Sequence, residues 1–325
     1  MMSVFPAVIS LVTGVIILWK CAELLVAGAV GLAESFGISS LVVGLTVVAM
    51  GTSAPEVAAS IAGVLHKSGG GDLAVGNVFG SNIANLALVG GLIALIRPLE
   101  VQKQTLRREI PVMIFTALLL WPFIHNSFLS RTEAFVLLFL FIVLVYLTIY
   151  EARRESIQTR NAIKQTNHDS KYGKWNTKNI LFIIIGLAGL ALGAKLTVDG
   201  AVSIGRLIGL SEAVIALTII ALGTSLPELV TCIAAAIKGH HDISVGNLVG
   251  SNIFNTLLVI GAAGAIRPFK IVHRLAGGTD YWIMIAVSVA FALAIIIGRR
   301  VIGRLAGILL LCAYAGYVIY LYIPA

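Results

Sequence analysis

Apolar positions in this chain come in long unbroken blocks, not in short alternations. Each block is about as long as a helix must be to cross the hydrocarbon of a bilayer, roughly 20 residues. The blocks predict ten helices, over about Val4 to Leu32, Leu41 to the loop at His66, Leu73 to Ile96, Ile110 to Ile124, Glu133 to Tyr150, Ile180 to Ile208, Ala213 to Lys238, Ile243 to Ile266, Tyr281 to Gly298 and Val301 to Ile323. A turn at Ser35 to Ser39, a Gly69-Gly70-Gly71 loop, and the pairs Arg97-Pro98 and Arg267-Pro268 punctuate them. Only one polar stretch is long. Glu151 to Lys178 carries seven Lys or Arg and no apolar period, and reads as a flexible cytoplasmic linker too short for a regulatory domain.

Composition supports this reading. Hydrophobic residues make up 58% and charged residues 12% of the 325 residues, with a mean hydropathy of +0.99. A soluble domain is about one quarter charged, so this chain lacks the polar surface to cover itself in water and is expected in a lipid bilayer. The formal charge of +8 then belongs to membrane-flanking loops and calls for no nucleic-acid partner. Cys21, Cys232 and Cys312 all fall in apolar segments and match neither a disulfide framework nor a metal motif. Residues 2 to 19 have no basic region before them and no clear cleavage site after them, so they read as part of the first helix, not a leader.

The blocks repeat. Gly51-Thr52-Ser53-Ala54-Pro55-Glu56 returns 172 residues later as Gly223-Thr224-Ser225-Leu226-Pro227-Glu228, and Gly28-Ala29-Val30 returns at the same offset as Gly200-Ala201-Val202. Gly76-Asn77-Val78-Phe79-Gly80-Ser81-Asn82-Ile83-Ala84-Asn85 returns 170 residues later as Gly246-Asn247-Leu248-Val249-Gly250-Ser251-Asn252-Ile253-Phe254-Asn255. The chain therefore divides into a first five-helix repeat over 1–150, with its motifs in 41–96, the linker 151–178, and a second repeat over 179–325, with its motifs in 213–266. Five is odd, so the second repeat enters the membrane from the opposite side. The expected fold is an all-α polytopic membrane protein of two inverted-topology halves sharing a site near the midplane. Linkers after the odd-numbered helices hold about 15 Lys or Arg and the others about six, which places the odd linkers in the cytoplasm and both termini outside.

GTSxPE joins a helix breaker to an ionisable group in the middle of an apolar span. Pro55 lacks an N–H and disfavours helix at the residue before it, so the helix should break and free carbonyls of the preceding turn. Ser53 is placed to cap the new helix, with Glu56 at capping-box spacing. A carboxylate at mid-membrane costs on the order of 2.5–3.5 kcal/mol, and this chain places two at matching positions. A counter-charge explains both. Glu56 and Glu228 together balance one Ca²⁺, and two bidentate carboxylates plus carbonyls near Thr52 and Thr224 supply six hard oxygens, against a requirement of about 6–8. Two or three Na⁺ could use the same region. Ser81 and Asn85 share one helix face, as do Ser251 and Asn255, and form the facing wall. Gly76, Gly80, Gly246 and Gly250 allow close helix contact. Asn82 and Asn252 serve either as ligands or as glue between helices. Asp72 and Asp242 read as helix N-caps. Lys20 with Glu23, and Lys195 with Asp199, read as structural or interfacial pairs.

These motifs resemble the two alpha-repeats of the calcium/cation antiporter superfamily, and within it the prokaryotic sodium/calcium exchangers. The resemblance covers essentially the whole chain. It implies a secondary antiporter, with no enzymatic activity and no cofactor, that exchanges Na⁺ for Ca²⁺ by alternating access in an inner or plasma membrane. It also implies that Glu56 and Glu228 bind Ca²⁺ and share in Na⁺ binding. Backbone groups of Thr52, Thr224, Ala49 and Ala221 would complete the coordination, and Ser53, Ser81, Ser225 and Ser251 would contribute to Na⁺ sites. Helices one and six would slide as a gating pair. Some relatives, including the potassium-dependent ones, carry aspartate where this chain has Asn255, which argues against potassium dependence here. Two other readings stay open: a proton/calcium exchanger using the same glutamates, and a passive cation channel.

Overall fold

The computed structural model describes residues 3–65, 70–165, 177–210, 219 and 221–321. Among these, eight helices are long and apolar enough to cross a membrane. They are α1 (Val4–Phe36), α2 (Ser40–Leu65), α3 (Gly70–Ile96), α5 (Arg131–Gln165), α6 (Thr177–Leu207), α8 (His241–Ile266), α9 (Thr279–Ile297) and α10 (Arg304–Leu321). Among the described residues there are also two shorter helices that matter here, α4 (Ile110–Leu119) and α7 (Leu226–Ile237). The first part of the predicted seventh helix, from Ala213, lies almost wholly outside the described residues, as do residues 66–69 and 166–176.

Local chemistry sets the helix ends. Gly37 takes the left-handed conformation (φ 64°) that closes α1, and its N–H returns to Ala33 and Glu34 carbonyls. Ser39 then accepts from the Val42 N–H and caps α2. The polar stretch after Tyr150 does not begin as a flexible linker, because α5 runs on through Gln165. No Gly or Pro interrupts Glu151 to Gln165, and Arg108 pairs with Glu151 at the start of the extension.

The break at GTSxPE is also smaller than expected. It is confined to Ser53 (φ −80°, ψ 3°) and Ser225 (φ −86°, ψ 3°), with helix resuming at once on the far side. Pro55 and Pro227 fall in the first turn of the resumed helices, where a missing N–H has no intrahelical partner to lose. Three further irregularities lie nearby. The helices widen into π-turns over Gly44–Val48, Ala84–Val89 and Asn255–Val259, the last two beginning at or beside Asn85 and Asn255.

α3 and α8 are mostly buried, whereas α1, α5 and α10 have few fully buried residues. The central position of α3 and α8 follows from their sequence. Together with α2 and α7 they carry most of the buried polar side chains, which must face protein and not lipid. α1 and α6 lie against each other along their length. Gly193 permits this, since a Cβ there would stand 2.9 Å from the Leu18 nitrogen. At Gly246 the same reasoning seats α8 on α2, with Leu41 O only 2.7 Å from an added Cβ.

Contacts between the two repeats come in matched pairs. Strand β1 (Leu99–Glu100) pairs antiparallel with β4 (Val301–Ile302), and β2 (Phe128–Leu129) with β3 (Phe269–Lys270), so each two-stranded ribbon takes one strand from each repeat. Arg97 donates to the Ala236 and Ile237 carbonyls at the end of α7, and Arg267 to the Val64 carbonyl at the end of α2. Asp72 and Asp242 take part in this pattern and are not N-caps. Asp72 accepts from the Val272 N–H and Asp242 from Gln102 Nε2, both at 2.7 Å.

Candidate functional site

Glu56 and Glu228 are both wholly buried, one on each broken helix. Neither serine beside them caps its own helix. Ser53 instead crosses to the other repeat and donates to Glu228 Oε1 at 3.2 Å. Ser225 donates to Ser81 Oγ at 3.2 Å, and Ser81 donates to Glu56 Oε1 at 3.5 Å. The capping-box expectation is therefore replaced by a network in which each hydroxyl serves the common centre. The reason is burial: a carboxylate oxygen removed from water gains more from a hydroxyl donor than a helix N–H gains from a hydroxyl acceptor.

Behind this centre, two asparagines tie the repeats together. Asn247 Oδ1 accepts from Thr52 Oγ1 at 3.1 Å and from Ser251 Oγ at 3.5 Å, while Asn247 Nδ2 contacts Cys232 Sγ at 3.1 Å. Asn77 Oδ1 accepts from Thr224 Oγ1 at 3.4 Å, while its Nδ2 donates to Ser60 Oγ at 3.0 Å and to the Glu56 carbonyl at 3.2 Å. Neither asparagine is among the residues that the sequence motifs single out for the site. The signal is present in the sequence, since Asn77, Ser81 and Asn85 recur every four residues and so share a face with both expected ligands.

Of the two uses open to Asn82, the structure shows glue. It donates to the Asn252 carbonyl at 3.4 Å and to Thr256 Oγ1 at 3.2 Å, and accepts from Asn255 Nδ2 at 3.2 Å. Asn252 donates to the Leu248 carbonyl of its own helix. The Ala49 carbonyl accepts from the Ser53 N–H at 3.0 Å and the Thr52 hydroxyl at 3.4 Å. Ala221 opens the short helix Ala221–Thr224 before the break.

Several buried polar atoms have no protein partner: Glu56 Oε2, Glu228 Oε2, Asn255 Oδ1, and both side-chain polar atoms of Asn85. An unpartnered buried oxygen is costly and calls for a ligand. Carboxylate and amide oxygens of this kind, among them Asn252 Oδ1 as well, are hard donors suited to Na⁺ or Ca²⁺ and not to soft metals. Among the described residues, no group of three or more His, Cys, Asp or Glu is placed to hold a resident metal.

Eight long apolar helices around a buried carboxylate pair define an integral membrane protein. Comparison with known proteins agrees. The model of the sodium/calcium exchanger protein family matches residues 6–150 and again 178–323. Inner membrane protein YrbG of Escherichia coli (strain K12) is 38% identical over 290 residues, covering 87% of this chain and 86% of that protein. Sodium/calcium exchanger MaX1 of Methanosarcina acetivorans is 32% identical, covering 96% and 97%. The solved structure of the sodium/calcium exchanger from Methanococcus jannaschii superposes with a TM-score of 0.82 at 30% identity, covering 99% of this chain and all of that one. The chain belongs to the sodium/calcium exchanger family and is thus a cation/Ca²⁺ antiporter.

Proposed function

We propose that this protein exchanges Na⁺ for Ca²⁺ by alternating access at a single site. Glu56, Glu228, Ser53, Ser225, Ser81, Ser251, Asn85 and Asn255 supply its side-chain ligands, and the backbone of Thr52, Thr224, Ala49 and Ala221 supplies the rest. One observation carries the reading: Glu56 and Glu228 are both wholly buried, and each keeps one carboxylate oxygen without a protein partner. Two carboxylates balance one Ca²⁺. When Na⁺ replaces it, hydroxyls and amides share the coordination of more than one ion, and electrostatic repulsion keeps the two species from binding together. Ser53, Ser81 and Ser225 already touch the carboxylates or one another, which favours Na⁺ over H⁺ as the coupling ion. A proton needs only the carboxylate.

The scaffold of this exchange is two inverted five-helix halves, 1–150 and 179–325, joined by 151–178. The matched contacts between repeats support a two-fold relation. Both termini face outward and the basic odd-numbered loops face the cytoplasm of a prokaryotic cell. The test is ⁴⁵Ca²⁺ uptake into proteoliposomes. An outward Na⁺ gradient should drive it and a pH gradient alone should not. Uptake driven by the pH gradient alone would overturn the sodium assignment, and flux without any counter-gradient would indicate a channel.

A further inference from the structure

A cavity of ≈ 640 Å³ lies between α6 and the two broken helices. Pro55 lines it from α2, Thr224 and Pro227 from the second motif, and Lys195 and Asp199 from α6. The wall is otherwise made mainly of small or apolar side chains, so the two charges stand out. They lie four residues apart on one helix but form no ion pair with each other among the described residues. Lys before Asp is also the less favourable order for such a pair.

The repeat gives these positions an internal control. At the offset of 172, Lys195 corresponds to Glu23 and Asp199 to Ala27. Glu23 is engaged by Lys20 at 3.3 Å and Lys238 at 3.4 Å, and Ala27 carries no charge. An unengaged carboxylate facing a cavity beside the motif is thus found in one half only. Packing does not require it, because the equivalent position of the other half is filled by alanine. We propose that Asp199 is a cation-capture residue. It draws the incoming ion into this cavity on its way to Thr224 and Glu228, and Lys195, one turn earlier, limits how tightly the captured ion is held. The inference rests on the exchange reading above. With both termini outside, the C-terminal half of α6 lies toward the outer face, so capture acts on ions arriving from outside.

A full negative charge several ångströms from the path of a divalent cation changes its local concentration about three- to fivefold at physiological salt, and that of a monovalent ion less. The test is Ca²⁺ transport measured at each face separately, in right-side-out and in inverted vesicles. Asp199→Asn should raise the Ca²⁺ KM about three- to fivefold at one face while preserving the maximal rate. The effect should shrink as salt is raised. Lys195→Gln should lower the KM at the same face, and Asp199→Glu should restore the wild-type value. Equal changes at both faces, or an unchanged KM at both, would overturn capture. If Asp199→Asn instead lowers the maximal rate at both faces through mispacking, Lys195→Gln decides alone, and an unchanged KM there overturns the proposal. Wild-type protein that carries no Ca²⁺ at either face would sink the exchange reading, a result distinct from a side-independent KM.

Discussion

Ser53 donates its hydroxyl to Glu228 Oε1 across the boundary between the repeats, at 3.2 Å. Its counterpart Ser225 donates to Ser81 Oγ at 3.2 Å, and Ser81 in turn donates to Glu56 Oε1 at 3.5 Å. The two serines are therefore equivalent in sequence but not in contact. Hydrogen bonds to a charged group contribute about 1.5–3 kcal/mol, so Ser53→Ala should weaken apparent Na⁺ affinity about ten- to hundredfold and Ser225→Ala by less. The Na⁺ dependence of Ca²⁺ release from loaded proteoliposomes measures both. Equal effects would mean that the direct contact carries no special weight.

Neutralising either glutamate leaves a single negative charge to face a divalent ion in a buried site. Glu56→Gln and Glu228→Gln should each lower Ca²⁺ affinity more than about 100-fold, since the lost attraction is not screened by water. Thermal unfolding gives a readout independent of transport. Ligand at 100 times its Kd stabilises the folded state by about 2.7 kcal/mol. The wild type should gain this from added Ca²⁺ and both variants should lose it. A full Ca²⁺-dependent rise in Tm in either variant would remove that glutamate from the site.

Asn247 makes three polar contacts, one across the repeats to Thr52 and two within its own repeat to Ser251 and Cys232. Asn247→Ala leaves the Thr52 and Ser251 hydroxyls buried without this acceptor. The expected loss of stability is about 1–3 kcal/mol, read from Tm in detergent without ions. Asn85→Ala makes the opposite case. Both polar atoms of Asn85 lack a protein partner, so its removal should cost little stability in the absence of ions and should weaken ion binding.

How far the sequence could be read follows from these residues. The burial of Glu56 and Glu228 inside the protein was legible because a carboxylate facing lipid is costly wherever it stands. The repeat made their pairing legible as well. The direction of the Ser53 hydroxyl was not, since capping its own helix and crossing to the other repeat are both within reach of a serine and only the tertiary structure selects one. Asn77 and Asn247 stand on the right face, but their neighbouring glycines point to packing. An amide that bonds side chains rather than an ion has no signature of its own. The π-turns at Asn85 and Asn255 and the extension of α5 past Tyr150 escape the sequence for different reasons. The first leaves no compositional mark. The second is a run of good helix formers whose dense charge gives it the look of a solvated linker.

Glycine has opposite meanings at two places in this fold. Gly246 faces the α2 backbone, where an added Cβ would meet Leu41 O at 2.7 Å and Leu45 N at 2.9 Å. Backbone cannot move aside as a side chain can, so Gly246→Ala should destabilise by about 1–3 kcal/mol. Gly316 lies within α10 with no neighbour within 4 Å of an added methyl group. Gly316→Ala should stabilise by about 0.5–1 kcal/mol through helix propensity. Tm values of the two variants should move in opposite directions.

Glu23 on α1 joins Lys238 at the end of α7, at 3.4 Å, and the same helix end is held by Arg97. The pair is partly exposed, so it adds little to the stability of the fold. Its consequence lies in which helices it connects. If alternating access moves α1 relative to α7, the bridge can form in only one of the two arrangements and biases the equilibrium toward it. Glu23→Gln and Lys238→Gln should then each change the maximal exchange rate about two- to fivefold, with Ca²⁺ affinity at saturating equilibration nearly unchanged. Lys20 also contacts Glu23, so a charge swap would introduce a new repulsion. A double-mutant cycle avoids it. The Glu23→Gln/Lys238→Gln double variant should match either single variant, because one bridge can be lost only once. Rates that multiply in the double variant would show that the two residues act separately, and α1 would then be free of this tie to α7.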